Sequence, residues 1–297
     1  MRVLDDRLVA AMRERWGAMF APDLLNDRVV LVTGGGTGLG KAMGRRFMAL
    51  GAELMICGRR EGVLAEAAQE FAAAFGRKVR THPVDIRNPE AVEEMMDAAF
   101  KDRPLDILVN NAAANFVART ETLSMRAVDS VLNITLHGTA YCTLAAGRRW
   151  IERGHAGTVL SIVTGAAFHG SPYAVPSAMA KAGVLAMTRS LAVEWGPQRI
   201  RLVAISPGAF PTPGASERLV PDAAAGTHGT DNPLGRPGRP EELADLAAFL
   251  VSDHAAYIQG ECVTIDGGRW LKGAGTFSHL EALSDEQWAA MRRRGRG

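Results

Sequence analysis

Thr33-Gly34-Gly35-Gly36-Thr37-Gly38-Leu39-Gly40 is the stretch whose residue types and spacing most directly imply chemistry. An apolar, β-rich run precedes it and a helix-length segment follows. Gly34, Gly35, Gly36, Thr37, Gly38 and Leu39 therefore read as a turn that faces an anion. Glycines let the backbone bend tightly and approach a pyrophosphate, and the helix start adds free N–H groups and a favourable dipole. The glycine pattern alone is weak evidence. A strand before it, a helix after it and a second strand beyond make it a dinucleotide site.

The end of that second strand reads Cys57-Gly58-Arg59-Arg60. No carboxylate stands there to bind the adenosine ribose hydroxyls, whereas Arg59 and Arg60 can meet a 2′-phosphate with charge-assisted hydrogen bonds. The expected cofactor is NADP(H) rather than NAD(H). Asp85, at the end of the third strand, is placed to accept from the adenine amine, or else to cap the helix that starts near Pro89. Farther along, Ser177 and Lys181 are four residues apart, so a helix would turn both to one face. Asn115 follows the fourth strand, where an asparagine favours a turn.

Positioning these groups takes alternating strands and helices. Val29–Thr33, Glu53–Cys57, Val79–Val84, Ile107–Asn110, Val159–Val163, Arg201–Ile205 and Val263–Ile265 read as strands, several apolar on both faces. Between them lie helical segments such as Lys41–Leu50, Glu61–Phe75, Pro89–Phe100 and Ser177–Trp195. This rhythm predicts an α/β doubly wound, Rossmann-type parallel sheet of seven strands, with helices on both faces. The segment Gly208 to Pro240, rich in Gly, Pro, Ala and Thr, breaks the rhythm and reads as a flap over the site. The expected organisation is an N-terminal helical extension over 1–25, one nucleotide-binding domain over 26–270 with its flap at 208–240, and a tail over 271–297. Within the tail, Leu280–Arg294 has the spacing of a docking helix, with Trp288 as its anchor.

Composition narrows the class. The 297 residues are 47% hydrophobic and 22% charged, with a formal net charge of +2, which gives no reason to expect nucleic acid. Arg292, Arg293, Arg294 and Arg296 cluster at the C-terminal end, where solvated charge is the simplest reading. Cys57, Cys142 and Cys262 lie apart in apolar runs without metal-ligand spacing, and read as buried free thiols of a reducing compartment. No apolar run is long enough to span a bilayer, and the first 16 residues lack a signal-peptide pattern, so the expected location is cytoplasmic.

With the glycine turn, Asn110-Asn111-Ala112-Ala113, Lys181 and Pro207-Gly208 in hand, the chain resembles the short-chain dehydrogenase/reductase family from about Asn26 to Gly268. The resemblance implies a cofactor site completed by Asn111, Lys181, Pro207, Gly208, Ala209 and Phe210, with Lys181 gripping the nicotinamide ribose. Most members carry a catalytic tyrosine four residues before the lysine; this chain has Ser177. One branch shares that serine, the mitochondrial-type 2,4-dienoyl-CoA reductases. Val175-Pro176-Ser177-Ala178-Met179-Ala180-Lys181, Asn111-Ala112-Ala113-Ala114-Asn115-Phe116 and Leu136-His137-Gly138-Thr139-Ala140 look very like theirs. So do Thr212, Gly214 and Arg218, and in the tail Gly275-Thr276-Phe277 and Glu286-Gln287-Trp288.

That resemblance implies hydride transfer from NADPH to the far end of a dienoyl thioester, with charge building on the thioester oxygen. Donors at that oxygen then matter more than a strong base. Asn115 matches the family's asparagine donor, Ser177 and Lys181 share its site, and Thr164 stands where many relatives carry an active-site serine. Arg87, Phe116, Ser124 and Arg218 fall near the acyl-CoA, and the helices Met125–Arg153 and Ser177–Trp195 imply a homotetramer. The chain departs from the branch at Ala166, fifteen residues before the lysine, where those enzymes place a tyrosine. His169 and Tyr173 on the same loop are candidate substitutes. The acidic group of the peroxisomal type falls near Thr135. Two other readings follow from these losses: a carbonyl reductase or alcohol dehydrogenase with a relocated acid, and a non-catalytic NADP(H)-binding protein.

Overall fold

Strand β1 (Val29–Thr33) is buried at every position. This is the condition of a parallel strand covered on both faces. The computed structural model describes residues 20–212 and 229–294. Its sheet is joined by β2 (Glu53–Gly58), β3 (Arg80–Pro83), β4 (Ile107–Asn110), β5 (Gly157–Ile162), β6 (Ile200–Pro207) and β7 (Cys262–Ile265). All seven pair in parallel in the order β3-β2-β1-β4-β5-β6-β7. The expected doubly wound sheet is what the chain forms. Its strand order reverses between β1 and β4, which opens a crevice at their C-terminal ends.

The period of two along the strands sorts the core into two layers. Val30 and Val32 face α1 (Gly38–Ala49), α2 (Glu61–Phe75) and, later in the chain, the helix Pro240–Val251, through Phe47, Phe71 and Leu243. Val29 and Leu31 face α3 (Pro89–Ala99) and two later helices, through Met95, Trp150 and Trp195. A one-residue slip of β1 would exchange these faces, so each layer fixes the register of the other.

Helix α4 (Met125–Leu132) runs through a π turn, Asn133–His137, into α5 (Gly138–Arg153). The sequence reads this stretch as one helix; the wider turn within it is a finding of the structure. After β5 come a short α6 (Ala166–His169) and the long α7 (Val175–Trp195), then α8 (Pro240–Val251), α9 (Arg269–Ala274) and α10 (Asp285–Arg294). The docking helix expected over 280–294 is split into a 3-10 turn, Ser278–Ala282, and α10, and its intended anchor Trp288 remains 40% exposed. Helix α3 is capped by Asn88, whose side chain accepts from Glu90 and Ala91 N–H, with Pro89 in the first turn. The capping alternative for Asp85 therefore falls, because Asn88 is the residue one position before the helix.

All three cysteines are free and buried, and burial pushes the Cys57 thiol up to about 12 and Cys262 to about 11. Among the described residues no helix is long and apolar enough to cross a membrane.

Candidate active site

The crevice beside β1 is built from backbone. Gly34 and Gly38 have φ of 65° and 54°, in the left-handed region that favours glycine. A Cβ at Gly35 would stand 2.5 Å from Ile56 Cγ2, and one at Gly40 would stand 2.5 Å from both Gly34 O and Asn111 Nδ2. Side chains are thus excluded from the turn on its inner side, and Thr37 leads extended backbone into α1 with no side-chain cap. The opening N–H groups of α1 are therefore available to a pyrophosphate.

Thr33 and Asn111 staple this turn across the switch point. Thr33 Oγ1 accepts from Asn111 N–H and Ala112 N–H, each at 3.0 Å, and Asn111 Nδ2 donates to Thr33 O at 2.9 Å. Asn111 is thus a positioning group for the cradle. Thr33, which sequence reasoning passed over, is its partner; a buried threonine directly before the glycines was the available signal.

At the end of β2, Arg59 and Arg60 are exposed and, among the described residues, form no salt bridge. Asp85 lies close enough to feel Arg59, but its closest partner is Arg87, which donates Nε at 2.9 Å and holds the carboxyl below the usual carboxylate range. The residues present fit a dinucleotide: a turn free of side chains faces the pyrophosphate, and the exposed Arg59 and Arg60 stand at the end of β2. Thr212, the last residue described before position 213, lies beside Gly38.

A second cleft of about 780 Å³ opens on the other side of β4, at the C-terminal ends of β5 and β6. Asn115, Thr164 and Ser177 all line it, with Ala166, Pro207, Gly208, Ala209 and Phe210. The backbone just before Asn115 is held by Thr135. Ala114 N–H donates to Thr135 Oγ1 at 3.0 Å, and that hydroxyl donates back to Ala114 O at 3.3 Å. Thr135 belongs to the π turn, and its own carbonyl accepts from Thr139 Oγ1 at 2.8 Å. Ser177 and Lys181 share one face of α7 and both are buried. The Lys181 amine donates to Ile162 O at the end of β5, and burial lowers its pKa to about 8.

Other expected site residues sit differently. Tyr173 is 58% exposed with φ of 64° and does not line the cleft, whereas His169 does. Ser124 caps α4, its hydroxyl accepting from Ala127 N–H at 3.2 Å. Arg87 is exposed and paired with Asp85, and Phe116 is half-buried beside Asn115. None of these three lines the cleft. Arg218 lies outside the described residues. The far wall was not foreseen: Asp266, Arg269, Trp270 and Gly273 arrive from beyond β7, and Trp270 stacks on Phe168 with centroids 4.8 Å apart. The turn signal Asp266-Gly267-Gly268 was legible, but not where it would lead. Among the described residues no cluster of His, Cys, Asp or Glu could hold a metal ion.

The family model described as Enoyl-(Acyl carrier protein) reductase matches residues 34–269. The chain belongs to the short-chain dehydrogenase/reductase family. This dehydrogenase/reductase is an oxidoreductase and, like its family, binds a nicotinamide cofactor. It is 42% identical over 250 residues to the Bacillus subtilis "Probable 2,4-dienoyl-CoA reductase, (2E)-enoyl-CoA-producing", covering 83% of this chain and 98% of the relative. Among solved structures, a short chain dehydrogenase from Bacillus anthracis is 43% identical with a TM-score of 0.73, covering 82% of this chain and 96% of that one. A protein of Agrobacterium tumefaciens, assigned as a 2-deoxy-D-gluconate 3-dehydrogenase and solved with bound NADP, is 32% identical with a TM-score of 0.77, covering 85% and 100%.

Proposed function

We propose that the chain is an NADPH-dependent reductase of 2,4-dienoyl-CoA or related enoyl-CoA thioesters in fatty-acid catabolism. The observation that carries this reading is the donor set of the cleft. Asn115, Thr164 and Ser177 converge there, and no tyrosine lines it. An amide and two hydroxyls suit stabilisation of an oxyanion, whereas reduction of a simple ketone calls for a stronger acid. The Bacillus subtilis relative, whose name carries the dienoyl-CoA activity, supports the same substrate class.

When bound, the dinucleotide supplies the hydride. This chain's own residues do the rest. Arg59 and Arg60 select the 2′-phosphate, a choice supported by the NADP held in the Agrobacterium tumefaciens structure. Asp85 meets the adenine, and Lys181 holds the nicotinamide ribose beside Ser177. Asn115 donates to the thioester oxygen, kept in place by the Thr135–Ala114 hydrogen bonds. Arg87, Phe116, Ser124 and Arg218 lie toward the CoA portion. A homotetramer through α4–α5 and α7 is part of the same reading, and Leu144, Ile151, Met179 and Val193 on those helices are exposed apolar residues that it would cover.

The test is to mix purified protein with NADPH and 2,4-hexadienoyl- or 2,4-decadienoyl-CoA and follow cofactor absorbance. Oxidation that depends on the dienoyl-CoA is expected. Clear NADPH binding with no oxidation at any chain length would refute the substrate class.

A further inference from the structure

A reduction that adds a hydride must also add a proton, and among the described residues three titratable side chains line the cleft: His169, Asp266 and Arg269. Asp266 is committed to the start of α9, where its oxygens accept from Gly268 N–H at 2.8 Å and Trp270 N–H at 2.9 Å. A guanidinium does not give up its proton in a protein. The hydroxyls of Thr164, Ser171, Ser177 and Ser206 are far weaker acids, and Ala166 has nothing to give. Lys181 donates to Ile162 O, does not itself line the cleft, and is assigned above to the cofactor ribose.

Among the described residues His169 is the remaining group. It ends the short helix α6, and Gly170, with φ of 75°, turns the chain away after it. Its ring folds back over Gly165, so closely that a Cβ there would lie 3.1 Å from Nε2. On its outer side it meets Trp270, with centroids 6.1 Å apart. Among the described residues its ring nitrogens have no hydrogen-bond partner, which leaves them free for substrate and solvent. The charged groups around it come from two other elements. Asp266 and Arg269 stand at the start of α9, and α7 carries Arg189, over the Phe168 ring at 5.9 Å, and the buried Lys181.

We propose that the His169 imidazolium is the acid that completes the reduction, in place of the tyrosine missing at position 166. The inference rests on the reading of the cleft as a dienoyl-CoA site. Hydride adds to C5 and the C4–C5 double-bond electrons move through the conjugated chain to the thioester oxygen, giving a dienolate. His169 then transfers one proton to that dienolate, at C2 to give a 3-enoyl product or at C4 to give a 2-enoyl product. The neutral imidazole regains its proton from solvent. One hydride and one proton are added in all.

The experiment compares wild type, His169→Gln and His169→Ala in steady-state turnover of 2,4-hexadienoyl-CoA with NADPH, across pH. Loss of a general acid typically costs 10²–10⁴-fold. For His169→Gln, kcat should fall about a hundredfold, with NADPH binding and substrate KM little changed. Wild-type kcat/KM should decline as pH rises, because the acid must be protonated, and His169→Gln should lose that limb. Free imidazole should restore part of the activity of His169→Ala. Gly165→Ala, which displaces the ring without removing it, should lower kcat by less. An active wild type matched by His169→Gln in rate and pH profile would overturn the inference alone. An inactive wild type would overturn the substrate reading and this inference with it.

Discussion

On the nucleotide side of the molecule the turn after β1 is shaped by backbone, with glycines where side chains cannot fit, a strand buried on both faces before it, and Thr33 and Asn111 stapling it. The substrate side is assembled from distant pieces: Asn115 after β4, Thr164 and His169 after β5, Phe210 after β6 and Trp270 after β7. These groups are held mainly by side chains, such as Trp270 on Phe168 and Thr135 under Ala114. The contrast is physical. A diphosphate is recognised by backbone N–H groups that any well-formed turn can offer, so steric exclusion suffices to specify it. A thioester in the act of reduction is recognised by a few donors aimed at one oxygen, and these require side chains brought from several strands.

If the two sides are separable in this way, a change on one should leave the other working. The largest effect is expected on the substrate side. Asn115→Ala should lower kcat by about 10²–10³, the usual cost of removing one oxyanion donor, with NADPH affinity unchanged by fluorescence titration. A parallel loss of NADPH binding would break the comparison.

Gly40→Ala tests the other side. Its Cβ would meet the Gly34 carbonyl and the Asn111 amide at 2.5 Å, and neither is free to move. Overpacking of this kind costs about 1–3 kcal/mol, so the melting temperature should fall and NADPH binding should weaken sharply. Unchanged cofactor affinity would show that the turn has more slack than its geometry implies. Replacing Arg59 and Arg60 together by alanine should be milder. NADPH affinity should drop about tenfold or more, since a charged hydrogen bond contributes about 1.5–3 kcal/mol, while NADH affinity stays level. Equal losses for both cofactors would remove the 2′-phosphate role.

The smallest effect concerns the start of α8. Hydrogen bonding by Arg236 holds the Glu242 carboxyl down at about 2, and Arg239 N–H also donates to it at 2.8 Å. A carboxyl whose pKa is lowered by folding stabilises the protein above its unfolded value of about 4.3, and that contribution is lost as pH falls toward 2. Thermal melts of wild type and Glu242→Gln should therefore differ near neutrality and converge in that acid window. Parallel curves would place the acid sensitivity elsewhere.

How much of this was legible beforehand depends on whether the constraint is local. The glycine turn, the seven strands and the Ser177–Lys181 spacing follow from short-range rules: where a Cβ fits, which faces alternate, which residues share a helical face. The π turn at Asn133–His137 was not legible, since it reflects how Thr135 is shared between a helix and the Ala114 peptide. Nor was the helix cap at Asn88 separable from Asp85 until the helix start was known.

By itself the sequence determined the parallel sheet, the anion cradle at its switch point and the absence of a phenol at positions 166 and 177, because each depends on residue identity and neighbours a few positions away. Only the tertiary structure decided that His169 faces the cleft while Tyr173 faces solvent. It also decided that Trp270 and Arg269 form the far wall. Those outcomes turn on the left-handed backbone at Gly170 and Tyr173, and on packing between segments about a hundred residues apart, which no local pattern encodes.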